Sequence, residues 1–534
     1  DPEMSRGLGD VYKRQVYNLT LDETCELASA GLNSTATVGG IVGEAATYTT
    51  IAACRFLGKI TFDDHRGELT IGGIVGSTKG TVNSCRNEGA ITVKVSQKGS
   101  AEAGGIVGVC NGKDIRITNC INQATLSGTS ASYQSEGIEL AGIVATNFSG
   151  STINGCLNEG EVNIRFSSSQ TIYSPFSAAG ITTSNYGLVI NSGNTGRIAV
   201  QSDMKATVGG ISSHNSGSIV NSYNIGAIAC NGRKGQTFYN NGGGITGVFQ
   251  YSTIGITPLI YGCYNSGTVS STGSEEQIGS IAGDASYLID KYNVPTRIRN
   301  TYYSTETGKS IGNDYYQQSQ YILGVFDMKG KDFRQDLNEA AQAYNDTATA
   351  DKCHAWTGDN YTLPHFRTAD VFSTGTDYYT AHLERITPNP DNVPSNMVLK
   401  YKKTTETDYT EIPWSGTETD IEVSPDTEYE YLLAWEENGM ENLMPSKKFK
   451  TGNLFEELSA QPTRTTADLL ALIKGDPAKV KNVSFEVGIG HPLEEGYKII
   501  AVVDGSPMDE TGFVRATVTV SYTHLRAHET SQDL

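Results

Sequence analysis

The pentapeptide Gly-Gly-Ile-Val-Gly occurs three times in this chain, starting at Gly39, Gly72 and Gly104. Weaker copies start at Ala141, Ala179, Gly209, Gly243 and Gly279, so that successive copies lie 30 to 38 residues apart. A period in that range means a solenoid or an array, because each unit is too small to bury an apolar face alone. Behind each copy comes a second element: IAACRFLGKI from Ile51, VNSCRNEGAI from Val82, ITNCINQATL from Ile117 and INGCLNEGEV from Ile153. VINSGNTGRI from Val189, IVNSYNIGAI from Ile219, IYGCYNSGTV from Ile260 and a decayed IRNTYYSTET from Ile298 complete the series. An apolar residue is followed three positions on by Cys, Ser or Thr, usually by Asn two further, then by Gly and an aliphatic residue.

Apolar triplets bounded by glycine have the length of strands, not of helices. The expected fold is therefore all-β: a right-handed parallel β-helix with roughly three strands per coil, its eight coils forming a rod about 40 Å long. The glycines would supply turns that need positive φ or close backbone approach. Cys54, Cys85, Cys120, Cys156 and Cys263 share one repeat position with Ser192, Ser222 and Thr301. A slot that accepts Cys, Ser and Thr selects for small size, which points to an inward stack over a disulfide or a reactive thiol; parallel side chains are also poorly placed for a bridge. Asn87, Asn122, Asn158, Asn194, Asn224 and Asn265 occupy a second shared position, where stacked amides can bond from coil to coil as an asparagine ladder. The competing reading of that row is a polar surface offered to a ligand.

The alternation of GGIVG with NSCRNEG and YGCYNSGTV resembles the GLUG-motif repeats of bacterial surface proteins, over about Val16 to Tyr303. The leading glycine of the motif is lost at Ala141 and Ala179, where irregular coils are expected. The resemblance implies a cell-surface or secreted, adhesin-like protein without enzymatic activity. It leaves two alternatives: an accessory repeat region of a larger surface enzyme, such as an immunoglobulin-A-type zinc metallopeptidase, and a β-helix carbohydrate-active enzyme.

The repeat covers residues 16–303. Residues 304–368 read as a cap or linker with one helix, FRQDLNEAAQAYN, whose Phe333, Leu337, Ala340, Ala341 and Tyr344 recur at helical spacing. His354 and His365 near Cys353 lack the paired spacing of a metal site and are expected in the cap interior. Residues 369–452 alternate as strands and resemble a fibronectin type III sandwich, with Tyr429 or Tyr431 as the tyrosine corner. Residues 453–518 read as a second, truncated sandwich. The tails 1–15 and 519–534 back-translate to opposite strands of one oligonucleotide and resemble a sequencing-library adapter. They are set aside, with His524 and His528, and Val16 to Val518 reads as an internal fragment from environmental or gut microbiome DNA.

The net charge of −19 excludes a nucleic-acid partner, since nothing basic is available to displace counterions from phosphate. No apolar run is long enough to span a membrane, so no insertion is expected within this stretch. There is no nucleophile elbow, phosphate loop or dinucleotide fingerprint. Carboxylate pairs adjacent in sequence, Asp63 with Asp64 and Glu494 with Glu495, read as solvated loops. No catalytic residue, metal ligand or cofactor is expected. The candidate binding surface is carried by Tyr133, Phe238 and Tyr239 in coil-to-coil insertions, facing an extracellular glycan or a host surface protein.

Overall fold

The computed structural model describes residues 15–17, 19–31, 33–132, 135–167, 176–202, 205–232, 240–250, 258–272, 276–287, 297–356, 363–366, 370–376, 380–386, 396–414, 416, 418–424, 426–437, 440–443, 446–452, 497–502 and 517–522. The chain divides into two compact units, residues 1–368 with 389–392 and 437–442, and residues 369–388, 393–436 and 443–534.

The first unit is a parallel β solenoid of five sheets, with nine, ten, eight, eight and nine strands in the order a coil visits them. One coil shows the pattern. Thr81–Asn83, Arg86–Asn87, Ile91–Val95, Ser100–Gly104 and Val107–Cys110 each enter a different sheet, here called the first to the fifth. The expectation of three strands per coil is thus corrected to five, and the cause is local. Just before the Cys/Ser/Thr slot the backbone turns left-handed, at Ala53, Ser84, Asn119, Asn191, Asn221 and Asn300 with φ between 45° and 54°, and at Gly155 and Gly262. That single bend cuts the second motif into two short strands. Four of these eight positions, Asn119, Asn191, Asn221 and Asn300, are asparagine, the non-glycine residue best suited to this region.

GGIVG makes the other break, between the fourth and fifth sheets. None of its glycines is left-handed; close approach explains them instead. A Cβ on Gly72 would lie 1.8 Å from the Val75 carbonyl oxygen. One on Gly73 would lie 2.1 Å from the Gly105 oxygen and 2.5 Å from Cγ of Asn87. The second glycine therefore makes room for the asparagine ladder, and the two motifs face each other. This also corrects the expectation of irregular coils at Ala141 and Ala179. Gly104, Ala141, Ala179 and Gly209 stay in continuous register, because the glycines opposite the ladder, Gly142 and Gly180, are kept. Where the ladder has ended, Ser280 takes that place.

Inside, Ile51, Val82, Ile117, Ile153, Val189, Ile219, Ile260 and Ile298 form one fully buried column. Each such side chain contributes roughly 1.5–3 kcal/mol by leaving water. The helix Lys331–Asn345 buries Phe333, Leu337, Ala340 and Ala341. This face packs with Tyr223, Tyr264 and Tyr302 of the second sheet and with Trp356 and Phe366. The segment that follows bonds farther along the same flank: Asp351 pairs with Arg116, and the Asn221 amide donates to the His354 carbonyl at 3.0 Å. The expected position over the last coil is therefore replaced by one beside several coils. Aromatic residues project from the second sheet and need an apolar cover there.

The second unit includes two antiparallel sheets that share one core. One orders Asp370–Thr376, Thr380–Ile386 and Glu418–Glu422; the other is built on Val398–Lys403 and Glu428–Glu437, with Thr410–Pro413, Met440–Leu443 and Lys447–Lys450. Val371, Leu383 and Ile421 of the first sheet share a core with Leu399, Tyr429, Tyr431 and Leu433 of the second. The Ser424 amide donates to the Tyr429 hydroxyl at 2.9 Å, and the Ser373 amide to the Tyr431 hydroxyl at 3.1 Å. Of the region read as a second sandwich, the pair Tyr497–Val502 and Thr517–Tyr522 is described; the rest lies outside the described residues. Its second strand runs past Val518 into the segment read as adapter. No helix among the described residues is long and apolar enough to cross a membrane.

Candidate functional site: a polar groove between two sheets

The residues singled out by the repeat lie in the interior. Cys54, Cys85, Cys120, Cys156, Ser192, Ser222 and Cys263 are at most 1% exposed. They follow one another coil by coil: the Cys85 amide donates to the Cys120 sulfur at 3.4 Å, and the Ser192 amide to the Ser222 hydroxyl at 3.2 Å. All nine cysteines are free. Burial pushes the Cys85 and Cys120 thiols far up and that of Cys263 up to about 12, so no thiolate forms there at neutral pH.

The ladder is continuous. Each Nδ2 donates to the next Oδ1, from Asn87 to Asn122 at 3.0 Å, then through Asn158, Asn194, Asn224 and Asn265 at 2.7–2.8 Å. Register places Phe56 before its first member and Tyr303 after its last. Two shorter asparagine rows went unread in the sequence. One joins Asn147, Asn185 and Asn215, and the other Asn154, Asn191 and Asn221. Burial also drives the His354 imidazole down to about 4, and the His365 Nδ1 lies 3.0 Å from the Leu363 carbonyl oxygen. Among the described residues no three His, Cys, Asp or Glu side chains converge on a metal position. Tyr133, Phe238 and Tyr239 lie outside the described residues.

A different arrangement stands out on the outer face. In the fourth sheet, Thr37, Thr70, Glu102, Glu139, Ser177, Thr207, Asn241 and Gln277 are in register as one outward column. Strand alternation sends their neighbours inward, as with the fully buried Ile71, Ala103, Leu140, Ala178 and Val208. The fifth sheet turns back against this column. A Cβ on Gly76, Gly108 or Gly247 would lie 2.9, 2.8 or 2.7 Å from the methyl of Thr37, Thr70 or Thr207. The outer faces of the two sheets thus meet in a re-entrant corner. In the middle coils Ala145, Thr183 and Ser213 replace the glycine of the fifth sheet, and hydroxyl groups enter the corner.

Glu102 and Glu139 sit side by side at its floor, in adjacent coils, with strands ~4.8 Å apart. Thr146 donates to Glu102 at 3.4 Å and Thr183 to Glu139 at 3.0 Å. Both carboxyls keep one side open to solvent, yet the surrounding walls crowd them. That desolvation, with the charge of Glu102, pushes Glu139 up to about 7; desolvation also raises Glu102. No lysine or arginine among the described residues pairs with either. Burial raises the Tyr186 phenol, as do the nearby charges of Glu139 and Glu102, and its ring stacks on Phe148 at 6.2 Å and 19°. Phe148 is 43% exposed. On the fifth-sheet side, burial and Lys205 drive His214 down to about 4, leaving a neutral imidazole.

Several groups in the column are unsatisfied. Among the described residues Ser177 Oγ, Asn241 Oδ1 and Gln277 Oε1 find no hydrogen-bond partner, although Ser177 is 1% and Asn241 2% exposed. Buried polar atoms are normally paired, so such a row is an exception that needs an explanation. The sequence reading found no acid–base pair because Glu102 and Glu139 are 37 positions apart (139 − 102). Aligning the repeats would have shown them, since each stands two residues before the leading position of the motif, in EAGGIVG and ELAGIVA. Comparison with known protein families finds no match, and no curated protein matches the sequence.

Proposed function

We propose that this chain is a β-solenoid region of a bacterial cell-surface or secreted protein, and that it binds an extended glycan along the corner between the fourth and fifth sheets. One observation carries the reading. A row of hydroxyl, amide and carboxyl groups repeats at the coil spacing along one groove, and several of its buried polar atoms lack partners. An extended polysaccharide is a polymer of hydroxyl groups that can supply those partners in series, and Phe148, exposed and stacked on the half-buried Tyr186, offers a face for a sugar ring. The resemblance of the repeats to GLUG motifs supports the surface location. The three- and five-stranded sheets of the second unit and the Tyr429 hydroxyl bond support reading it as a fibronectin type III-like spacer. In this reading the Lys331–Asn345 segment protects the aromatic flank of the rod, and the protein is a binder and not an enzyme.

The test is a glycan array on the full chain, with a hydrolase and lyase panel in parallel. Binding should weaken at least tenfold in Asn241→Ala and in Ser177→Ala, with melting temperature unchanged. Failure to bind any glycan would remove the reading. Turnover of a polysaccharide would replace it with the carbohydrate-active alternative.

A further inference from the structure

Glu102 and Glu139 pose a local problem that the glycan reading alone does not solve. Two carboxyl groups of like charge are stacked in register, in a corner that desolvates both. An ionised carboxylate has about four acceptor sites; Glu102 receives one threonine hydroxyl, and Glu139 shares the Thr183 hydroxyl with the Ala145 carbonyl oxygen. Buried or half-buried charges are ordinarily paired, yet no lysine or arginine among the described residues pairs with either carboxyl. The next member of the column, Ser177, is 1% exposed and its Oγ is unpartnered. Beside the pair stands an aromatic face, Phe148 on Tyr186, and aromatic faces attract cations. Carboxylate oxygens, a free hydroxyl and an aromatic face together form the surroundings that an ammonium group requires.

We propose that the Glu102–Glu139 step binds a protonated amine of the ligand, as on the 2-amino group of a hexosamine unit, so that the groove selects amino-sugar polymers over acidic or fully acetylated ones. This rests on the groove being the glycan site and adds the chemical class of what it takes. An ammonium donates three hydrogen bonds and neutralises the charge that two stacked carboxylates cannot share. Glu139, half protonated near neutral pH, gives up its proton when the cation arrives. A uronic acid at the same step would place a third negative charge against the pair. A hard divalent cation is the less suitable occupant: it takes six or more oxygen ligands, and the corner offers two carboxylates and a few hydroxyls.

The experiment titrates the full chain with a β-1,4-linked glucosamine oligomer, its N-acetylated counterpart and a simple linear diamine, near neutral pH, by calorimetry in two buffers of different ionisation enthalpy. The glucosamine oligomer should bind at least tenfold tighter than the acetylated one, with proton release. In Glu139→Gln and Glu102→Gln the preference should fall to less than threefold. Equal binding of the two oligomers, or a preference that survives both substitutions, overturns the amine site and leaves the glycan reading standing. Diamine binding that depends on Glu139, with neither oligomer bound, supports the amine site and removes the glycan reading. Calcium that binds with the same dependence and excludes the amine overturns the proposal in favour of a metal.

Discussion

The asparagine ladder and the groove column are built alike and behave differently. Both are polar side chains repeated once per coil. In the ladder every member is the same residue, and each amide satisfies the next. In the column Thr, Glu, Ser, Asn and Gln succeed one another, and among the described residues no side-chain hydrogen bond links one member to the next. Several of its atoms are left unsatisfied as a result. A repeat of one residue type closes on itself and contributes stability; a mixed column keeps its bonding capacity for something else. In a solenoid, regularity marks the scaffold and irregularity marks where a ligand can be read.

This contrast can be broken first at the ladder, where the largest effects are expected. Gly105→Ala would set a Cβ 2.1 Å from the Gly142 oxygen and 2.5 Å from Cγ of Asn122, and should cost about 3 kcal/mol or more in chemical denaturation. Gly104→Ala is the control. A Cβ there would meet the Val107 carbonyl oxygen at 1.9 Å, but its register partner is already Ala141, so the coil can adjust and the substitution should cost less than half as much. Asn158→Leu should also cost about 3 kcal/mol, because it leaves the Asn122 amide and the Asn194 carbonyl without their ladder partners.

A smaller effect is expected in the groove, and it depends on pH. Below about 4.5 Glu139 is protonated in folded and unfolded chains alike. Between that value and about 7 the unfolded chain ionises while the folded carboxyl keeps its proton. The folded state then binds more protons, so stability falls as pH rises through this window and levels off above it. Glu102, Thr183, Tyr186 and Ser177 are the groups facing Glu139, and none is a cation. Glu139→Gln should therefore match the parent at pH 4 and exceed it at pH 8 by roughly 2 kcal/mol, a figure discounted for the solvent-open side. A variant no more stable at pH 8 than at pH 4, relative to the parent, would mean the two carboxyls are fully solvated. The smallest effect belongs to the stack. Cys85→Ser should cost under about 1 kcal/mol, since Ser192 and Ser222 already fill the same slot, and native protein should resist thiol reagents.

How far the sequence could be read follows the same division. Whatever repeats in identity was legible: the period, the buried Cys/Ser/Thr slot, the ladder, and the buried face of the Lys331–Asn345 helix from its spacing. The number of strands per coil was not, because it depends on one left-handed residue that is Ala, Ser, Asn or Gly in different coils. The groove was hidden for a related reason. Its shape comes from the fifth sheet turning back against the fourth and its chemistry from residues that do not repeat, so neither leaves a motif. Glu102 and Glu139 become neighbours only once the coil length is counted.

The measurement that bears most directly on the contrast is a high-resolution crystal structure of the chain with the tightest-binding oligosaccharide from the array. Ligand hydroxyl groups should lie within hydrogen-bond distance of Ser177 Oγ and Asn241 Oδ1, with the ladder from Asn87 to Asn265 unchanged. A sugar bound elsewhere, with only ordered water on those two atoms, would contradict the account.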